Sequence, residues 1–208
     1  MSRGTFVTFE GGEGAGKSTV VPKIAKDLEE KGYETLVSRE PGGVASAEQI
    51  RAILLGDQEQ ILDEYTEVLL FAAARRQHLV EKIIPALEAG KVVLCDRYLD
   101  SSLAYQGYAS GVDMEQVKMI NMFAVQHWLP ERTIFLDLPV EIGLSRITKN
   151  AREENRLDQA GIDFHERVRE GYQLLAKEDP ERYRIVQANQ SMEQVEKAVL
   201  QYIQEVLG

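Results

Sequence analysis

Apolar runs and helical patterns alternate along this chain, and that alternation outlines a fold before any motif is considered. The run TFVTFE, Thr5 to Glu10, reads as a buried strand. Val20, Val21, Ile24, Ala25 and Leu28 then recur at helical spacing, and Gly32 stands where a helix C-cap is wanted. A second strand, ETLVSRE (Glu34 to Glu40), leads to a helix over Ser46 to Leu55. Another helix begins near Asp63 and carries Leu69, Leu70, Ala73, Leu79, Ile83 and Leu87. VVLCD, Val92 to Asp96, is continuously apolar up to its last residue, the mark of a strand covered on both faces. Helices over Ser101 to Tyr108 and Met114 to His127 precede a fourth strand in TIFLDL, Thr133 to Leu138. The helix VEIGLSRI, a charged segment from Thr148 to Gln159, a helix through Tyr172 to about Lys177, the strand YRIVQA and a helix from Met192 to Val206 complete the chain. Strands alternating with helices predict an α/β fold, a parallel sheet with helices on both faces. No repeat or linker interrupts residues 1–208, so one domain is expected, with a mobile segment at about 145–159. Pro22 falls inside the first helix and predicts a kink, because it lacks the N–H that would bond the Ser18 carbonyl.

Composition narrows the function classes. Among 208 residues, 34 Asp and Glu outnumber 24 Lys and Arg, for a net charge of −10. A protein that tracks a phosphate backbone shows a basic face instead, so a polymer nucleic acid is not an expected partner. Cys95 is the sole cysteine, which excludes an internal disulfide and fits a reducing compartment. The N-terminal residues lack the regions of a secretory signal, and no apolar run approaches the ~20 residues that span a bilayer. A soluble cytoplasmic protein is the expectation, with no membrane partner.

The chemistry begins at FEGGEGAGKST, Phe9 to Thr19, with four glycines in eleven residues. Gly11, four residues, then Gly16-Lys17-Ser18 matches the phosphate-binding loop, here between a predicted strand and a predicted helix. The glycines let the backbone N–H groups of Gly11, Gly12, Gly14, Ala15, Gly16 and Thr19 curl around an anion at a helix N-terminus. Lys17 would reach the β- and γ-phosphates of ATP, and the Ser18 hydroxyl would hold Mg²⁺. Asp96, ending a strand beside that loop, stands where a Mg²⁺-binding carboxylate belongs. Such a loop serves switches, motors and kinases alike. The chain contains no Asn-Lys pair, and so no NKxD guanine-reading motif; a motor would need polymer contacts. A small-molecule kinase is favoured over a nucleotide-dependent switch.

FEGGEGAGKST, REPGG (Arg39 to Gly43), FAAARRQHL (Phe71 to Leu79) and DRYLDSSLAYQG (Asp96 to Gly107) together resemble the thymidylate kinase family, in the right order and over essentially the whole chain. The resemblance implies a P-loop nucleoside monophosphate kinase fold, five parallel strands in the order 2-3-1-4-5 flanked by helices, assembled as a homodimer. The implied reaction moves the γ-phosphoryl group of ATP to dTMP, giving dTDP and ADP. Residue by residue, Glu13 falls where the family sets an acid against the sugar 3′-hydroxyl. Arg39 and Arg97 flank the acceptor phosphate, and Glu40 lies near Asp96 to assist Mg²⁺ or the acceptor. Phe71 stacks on thymine, Arg75 bonds its carbonyl edge, and Ser102 and Gln106 address the rest of that edge. Arg51 lines the same pocket, while Tyr105 excludes a ribose 2′-hydroxyl with Tyr98 alongside. Gly14 stands where one branch of the family has an arginine. The bacterial branch supplies that charge from the lid, which points to Arg152 and Arg156, with Arg146 nearer the hinge. Asn189 and Gln190 fall near the expected adenine. A kinase for dUMP or CMP is the nearest rival, because one methyl group discriminates by only ~1–3 kcal/mol. His78, His127 and His165 show no ligand spacing, Cys95 is expected to be inert in its buried strand, and Trp128 is expected to pack at a helix end.

Overall fold

The computed structural model describes residues 3–56, 62–149 and 160–207. Five strands, β1 (Phe6–Glu10), β2 (Thr35–Arg39), β3 (Val92–Asp96), β4 (Arg132–Asp137) and β5 (Tyr183–Gln187), form one parallel sheet in the order β2-β3-β1-β4-β5. β1 therefore runs down the middle, between β3 and β4. The chain leaves β1 toward one edge and returns through β4 to the other, so a crevice opens above the C-terminal end of β1.

Alternation along β1 sorts its side chains into two cores. Val7 and Phe9 pack with Val20, Ile24 and Leu28 of α1 (Lys17–Glu30) and with Val195, Val199 and Ile203 of α9 (Met192–Gln204). Phe6 faces the opposite layer, with Leu79, Tyr98, Phe135 and Tyr172. That layer comprises α3 (Glu64–His78), α4 (Ile84–Glu88), α5 (Leu99–Ser102), α6 (Met114–Val125) and α8 (Ile162–Glu178). The remaining helices are α2 (Ala45–Leu55) and α7 (Val140–Lys149). The two β1 residues that alternate with Phe6 are polar: Thr8 bonds Thr133 across the sheet, and Glu10 is completely buried.

Helix ends follow local chemistry. Asp63 caps α3 by accepting from the N–H groups of Tyr65 and Thr66, and Ser191 with Gln194 forms a reciprocal capping box on α9. At the end of α1, Gly32 takes φ 91°, and the N–H of Tyr33 returns to the Leu28 carbonyl. α1 runs unbroken from Lys17 to Glu30 through Pro22.

Two expectations need correction. Leu69 and Ala73 do not belong to the buried side of α3, which is instead formed by Val68, Phe71, Ala72, Arg75 and His78. The polar Arg75 and His78 are buried because they have partners there, which an apolar pattern does not register. The helix expected over Ser101 to Tyr108 begins at Leu99 and widens to π-type bonding over Leu103–Ala109, and its successor stops at Val125, with Gln126 at φ 56°.

Candidate active site

Three parallel strands end side by side and present their next residues to one crevice. The N–H of Glu40 bonds the Asp96 carbonyl and the N–H of Arg97 bonds the Phe9 carbonyl, both at 2.9 Å, so the ladder extends just past the strands. Glu10, Arg39, Glu40, Asp96 and Arg97 are placed by that register.

The glycine loop follows β1. Gly11, Gly14 and Gly16 take φ of 143°, 69° and 94°. Gly14 also has no room for a side chain: a Cβ there would stand 2.2 Å from the Gly143 carbonyl oxygen. Gly143 is equally constrained by the Glu13 carbonyl at 2.2 Å. The loop and α7 thus meet backbone to backbone, and Arg146, one turn further along α7, donates to the carbonyls of Gly14 and Ala188. An arginine at position 14 is incompatible with this packing.

Lys17 folds back over the loop and donates to the Gly11 and Gly12 carbonyls at 2.9 and 3.0 Å. Burial, reinforced by the Arg97 charge, brings its pKa down to about 8 against the pull of Asp96, Glu13 and Glu10. Ser18 and Thr19 are exposed at the start of α1. The Asp96 carboxylate faces the same cavity and forms no hydrogen bond with any described residue.

Arg97 is the most constrained group. It occupies φ 70°, unusual for a residue with a side chain. Nη2 donates to Glu13 Oε1 at 2.6 Å, and Nη1 reaches the Gly11 carbonyl at 3.1 Å and the Tyr172 hydroxyl at 3.2 Å. Burial works against its charge, yet Tyr105, Glu13, Tyr172 and Asp96 hold its pKa well above the ordinary arginine value. Tyr105 donates to the same Glu13 oxygen at 3.0 Å. Glu13 is therefore turned toward Arg97 and Tyr105.

Arg39 donates to the Pro41 carbonyl and both oxygens of Glu48, and Arg51 also donates to Pro41. Arg75 is 2% exposed and almost fully committed. Its Nε donates to Glu40 at 2.7 Å, Nη1 to Ser102 and Asn121, and Nη2 to the Tyr98 carbonyl. Four of its five N–H groups are thereby used.

These residues enclose one cavity of ≈ 560 Å³. Glu13 to Val20 form one end, with Arg146, Ile147, Gln190, Met192 and Val195 nearby. Arg39, Glu40, Arg51, Phe71, Arg75, Ser102, Tyr105 and Gln106 form the other, and Asp96 and Arg97 lie in the wall between. Gly11, Gly12, Tyr98 and Asn189 do not line it. Gly11 and Gly12 instead supply carbonyls to Lys17, and Asn189 is exposed. Tyr98 is fully buried with its hydroxyl on the Trp128 carbonyl, and it meets the site through Arg75, which its carbonyl holds and over whose guanidinium its ring lies at 5.6 Å. Glu40 reaches the cavity, but its two oxygens are taken by Arg75 and His78, so it does not present a free ligand oxygen beside Asp96. Arg152 and Arg156 lie outside the described residues.

Sequence reasoning missed a buried cluster beneath Arg97. Glu10 Oε2 accepts from the Ser101 and Tyr172 hydroxyls at 2.6 and 2.8 Å, and Oε1 accepts from the Tyr98 N–H. Burial, then repulsion from Asp100, pushes the Glu10 pKa from 4.5 up to about 7 despite those bonds and the Arg97 charge. A carboxyl raised on folding stabilises fully below its unfolded pKa, and that contribution is lost as pH rises through the folded value. Glu10→Gln should therefore flatten the fall in Tm between pH 4.5 and about 7, read by calorimetry across that window. Parallel wild-type and variant profiles would remove Glu10 as the cause. A polar residue closing the TFVTFE strand was the available signal for Glu10, and an isolated glycine in a helical pattern was the signal for Gly143.

The family model described as thymidylate kinase matches residues 9–199. The thymidylate kinase of Bacillus pumilus is 51% identical over 205 residues, covering 98% of this chain and 97% of that one. A Staphylococcus epidermidis thymidylate kinase is 54% identical over 200 residues, 96% of this chain and 97% of its own. Among solved structures, thymidylate kinase from Ehrlichia chaffeensis superposes with a TM-score of 0.79 at 31% identity, covering 97% of this chain and 99% of that one.

Proposed function

The chain belongs to the thymidylate kinase family, and from that premise we propose how its cavity performs the family's reaction, transfer of the ATP γ-phosphoryl group to dTMP to give dTDP and ADP. One observation carries the reading: the phosphate loop and the arginine- and aromatic-lined end share a single cavity, with Asp96 and Arg97 between them. Phosphoryl transfer needs positioning and charge neutralisation more than covalent chemistry.

In this reading the donor phosphates lie on the loop N–H groups, and Lys17 leaves the Gly11 and Gly12 carbonyls to meet them. The exposed Ser18 hydroxyl and the Asp96 carboxylate are hard oxygen donors without a competing described partner, and they fit Mg²⁺. Held by Ser18 and Asp96, Mg²⁺ would offset the negative charge of the donor phosphates. Glu40 is reassigned from metal binding to holding Arg75. Adenine rests at the Arg146, Gln190 and Met192 end of the cavity, without a direct part for Asn189.

At the acceptor end, Arg39 and Arg97 grip the dTMP phosphate, with Arg51 close by. An arginine fork suits a phosphate because it donates two parallel bonds. Phe71 stacks on the base, Arg75 offers its remaining N–H to a base carbonyl, and Ser102 and Gln106 complete the edge. Tyr105, fixed by Glu13, stands against the sugar, with Glu13 set toward its 3′-hydroxyl. The lack of space at Gly14 supports the assignment of the neutralising charge to Arg152 and Arg156 of the lid, residues 145–159 of a single domain.

A coupled ADP-release assay with ATP and Mg²⁺ tests this, with dTMP, dUMP, ribo-TMP, CMP or no acceptor. Fast turnover is expected with dTMP, less with dUMP and little with ribo-TMP. ADP release indifferent to every acceptor would make the protein a nucleotide hydrolase and cancel the acceptor assignments together.

One surface supports a homodimer. On the neighbouring helices α3 and α6, Tyr65, Leu69, Met119 and Phe123 are 49%, 56%, 67% and 86% exposed. So much unpartnered apolar surface on adjacent helices marks an interaction site, and a second copy is the partner assigned to it. Phe123→Asp should give a monomer by light scattering at concentrations where the parent is dimeric; a monomeric parent would refute the assignment. Among the described residues no helix is long and apolar enough to cross a membrane. The reducing cytoplasm suits the buried free thiol of Cys95.

A further inference from the structure

We propose that His78 is a positioning residue for base recognition, setting where Arg75 stands by holding Glu40. The inference rests on the reading of Arg75 as the group that meets the base carbonyl.

His78 is completely buried at the end of α3, one turn beyond Arg75. Its Nδ1 is 3.1 Å from Glu40 Oε1, and its Nε2 is 2.7 Å from the Ser38 hydroxyl. Glu40 in turn takes Arg75 Nε on its other oxygen at 2.7 Å. The result is a continuous line, Ser38 to His78 to Glu40 to Arg75, in which each buried polar atom has a partner. Ionised Glu40 only accepts, so Nδ1 carries a hydrogen and donates to it, while the Ser38 hydroxyl bonds Nε2.

The backbone is shaped to admit the ring. Gly43, at φ 89°, lies so close that a Cβ would be 2.6 Å from His78 Nε2 and 2.9 Å from the Ser38 hydroxyl oxygen. The second glycine of REPGG is thus bare for the imidazole rather than for a nucleotide. Lys82 holds the same turn by donating to the Gly43 carbonyl at 3.2 Å.

Glu40 needs such support because it alone bonds Arg75 Nε. Freed from His78, its carboxylate can rotate about its terminal torsions, and the Arg75 plane turns with it. The remaining Nη2 hydrogen would then miss the base edge. A donor at that position favours a carbonyl, as in thymine, and repels an amino group, as in cytosine. Loosening Arg75 should therefore weaken acceptor binding and also blur the choice between carbonyl and amino bases, while the distant ATP end is spared.

The test compares His78→Asn, His78→Gln and His78→Leu with Arg75→Ala in the full chain, measuring kcat and KM for dTMP and ATP and the dTMP/dCMP ratio of kcat/KM. Asparagine sets an amide nitrogen near the Nδ1 position and keeps the bond to Glu40. Glutamine reaches only the Nε2 position, and leucine keeps neither bond. With Gln and Leu, KM for dTMP should rise and the dTMP/dCMP ratio should fall, each about tenfold, with kcat and KM for ATP within about twofold. Asparagine should retain most of the discrimination, even if leucine fails to fold. Arg75→Ala separates two failures. If it erodes acceptor binding and discrimination while the glutamine variant behaves as wild type, the relay is wrong and the base-reading role stands. If Arg75→Ala itself changes neither quantity, the base-reading role fails and takes the relay with it. Equal loss of kcat and of affinity for both substrates in the asparagine and glutamine variants would make His78 merely structural and overturn the proposal.

Discussion

Arg97→Ala is expected to lower kcat/KM for dTMP by about 10³-fold, the lower end of what a phosphate-neutralising arginine contributes. The side chain is held in the site by Glu13, the Gly11 carbonyl, Ser101 and Tyr172. Those contacts are what a preorganised donor needs, because no reorganisation is left for the moment of reaction. Its place in the wall between the loop end and the acceptor end lets one fork face the acceptor phosphate as the γ-phosphoryl group arrives. Arg97→Lys should recover little, since an ammonium is a point charge and cannot donate two parallel bonds. KM for ATP should change by about twofold at most, as the loop and Lys17 remain. Steady-state kinetics with each substrate varied checks the split. Turnover within tenfold of wild type in the alanine variant would reduce Arg97 to a structural partner of Glu13. Removal also leaves the Glu13 carboxylate without its guanidinium, so a melting curve should accompany the kinetics to separate lost catalysis from lost fold.

How much of this was legible beforehand depended on whether a residue's role is local. The loop was legible because its requirement is backbone conformation: positive φ at Gly11, Gly14 and Gly16 leaves a mark in the sequence itself. The parallel sheet followed from alternating elements, while the strand order was legible only through the family resemblance that four motifs in register carry. Roles created by distant neighbours were not legible. Glu10 and Tyr172 are 162 positions apart and meet only because α8 packs over β1. His78 looked like a scattered histidine until Ser38 and Glu40, on another strand end, closed around it. Gly14 and Gly143 were visible singly, but their mutual contact needs the fold. Leu69 was misassigned for the complementary reason. An apolar residue on an amphipathic helix can face the core or a second molecule, and periodicity is the same in both cases. Tyr98 failed similarly, since adjacency to Arg97 in sequence says nothing of which way each side chain leaves the strand end.

Lys17→Ala should cost about 10³-fold in kcat, by removal of the buried donor that turns from the Gly11 and Gly12 carbonyls to the transferred phosphates. The wild-type lysine also predicts an unusual pH dependence. Burial brings its pKa from 10.5 to about 8, so above pH 8 the ligand-free side chain is mostly neutral. The phosphates of ATP favour the ammonium form, and binding must then take up a proton. Apparent ATP affinity should accordingly weaken as pH rises above about 8, approaching tenfold per pH unit until the lysine of the complex also titrates. Below that pH it should be nearly flat on this account. Stability has the opposite sign: between the folded value of about 8 and the unfolded 10.5 the unfolded chain binds more protons, so Lys17 favours the folded form increasingly across that window. Lys17→Arg keeps its charge at all these pH values and should lose the dependence, though its longer fork will misplace the donors. Lys17→Ala should bind ATP weakly and without the decline. Calorimetric titration of ATP from pH 7 to 9.5, in paired buffers of different ionisation enthalpy, reads affinity and proton uptake together. Wild type and Lys17→Ala falling in parallel would mean that the decline comes from another group, and that Lys17 enters the cavity already charged.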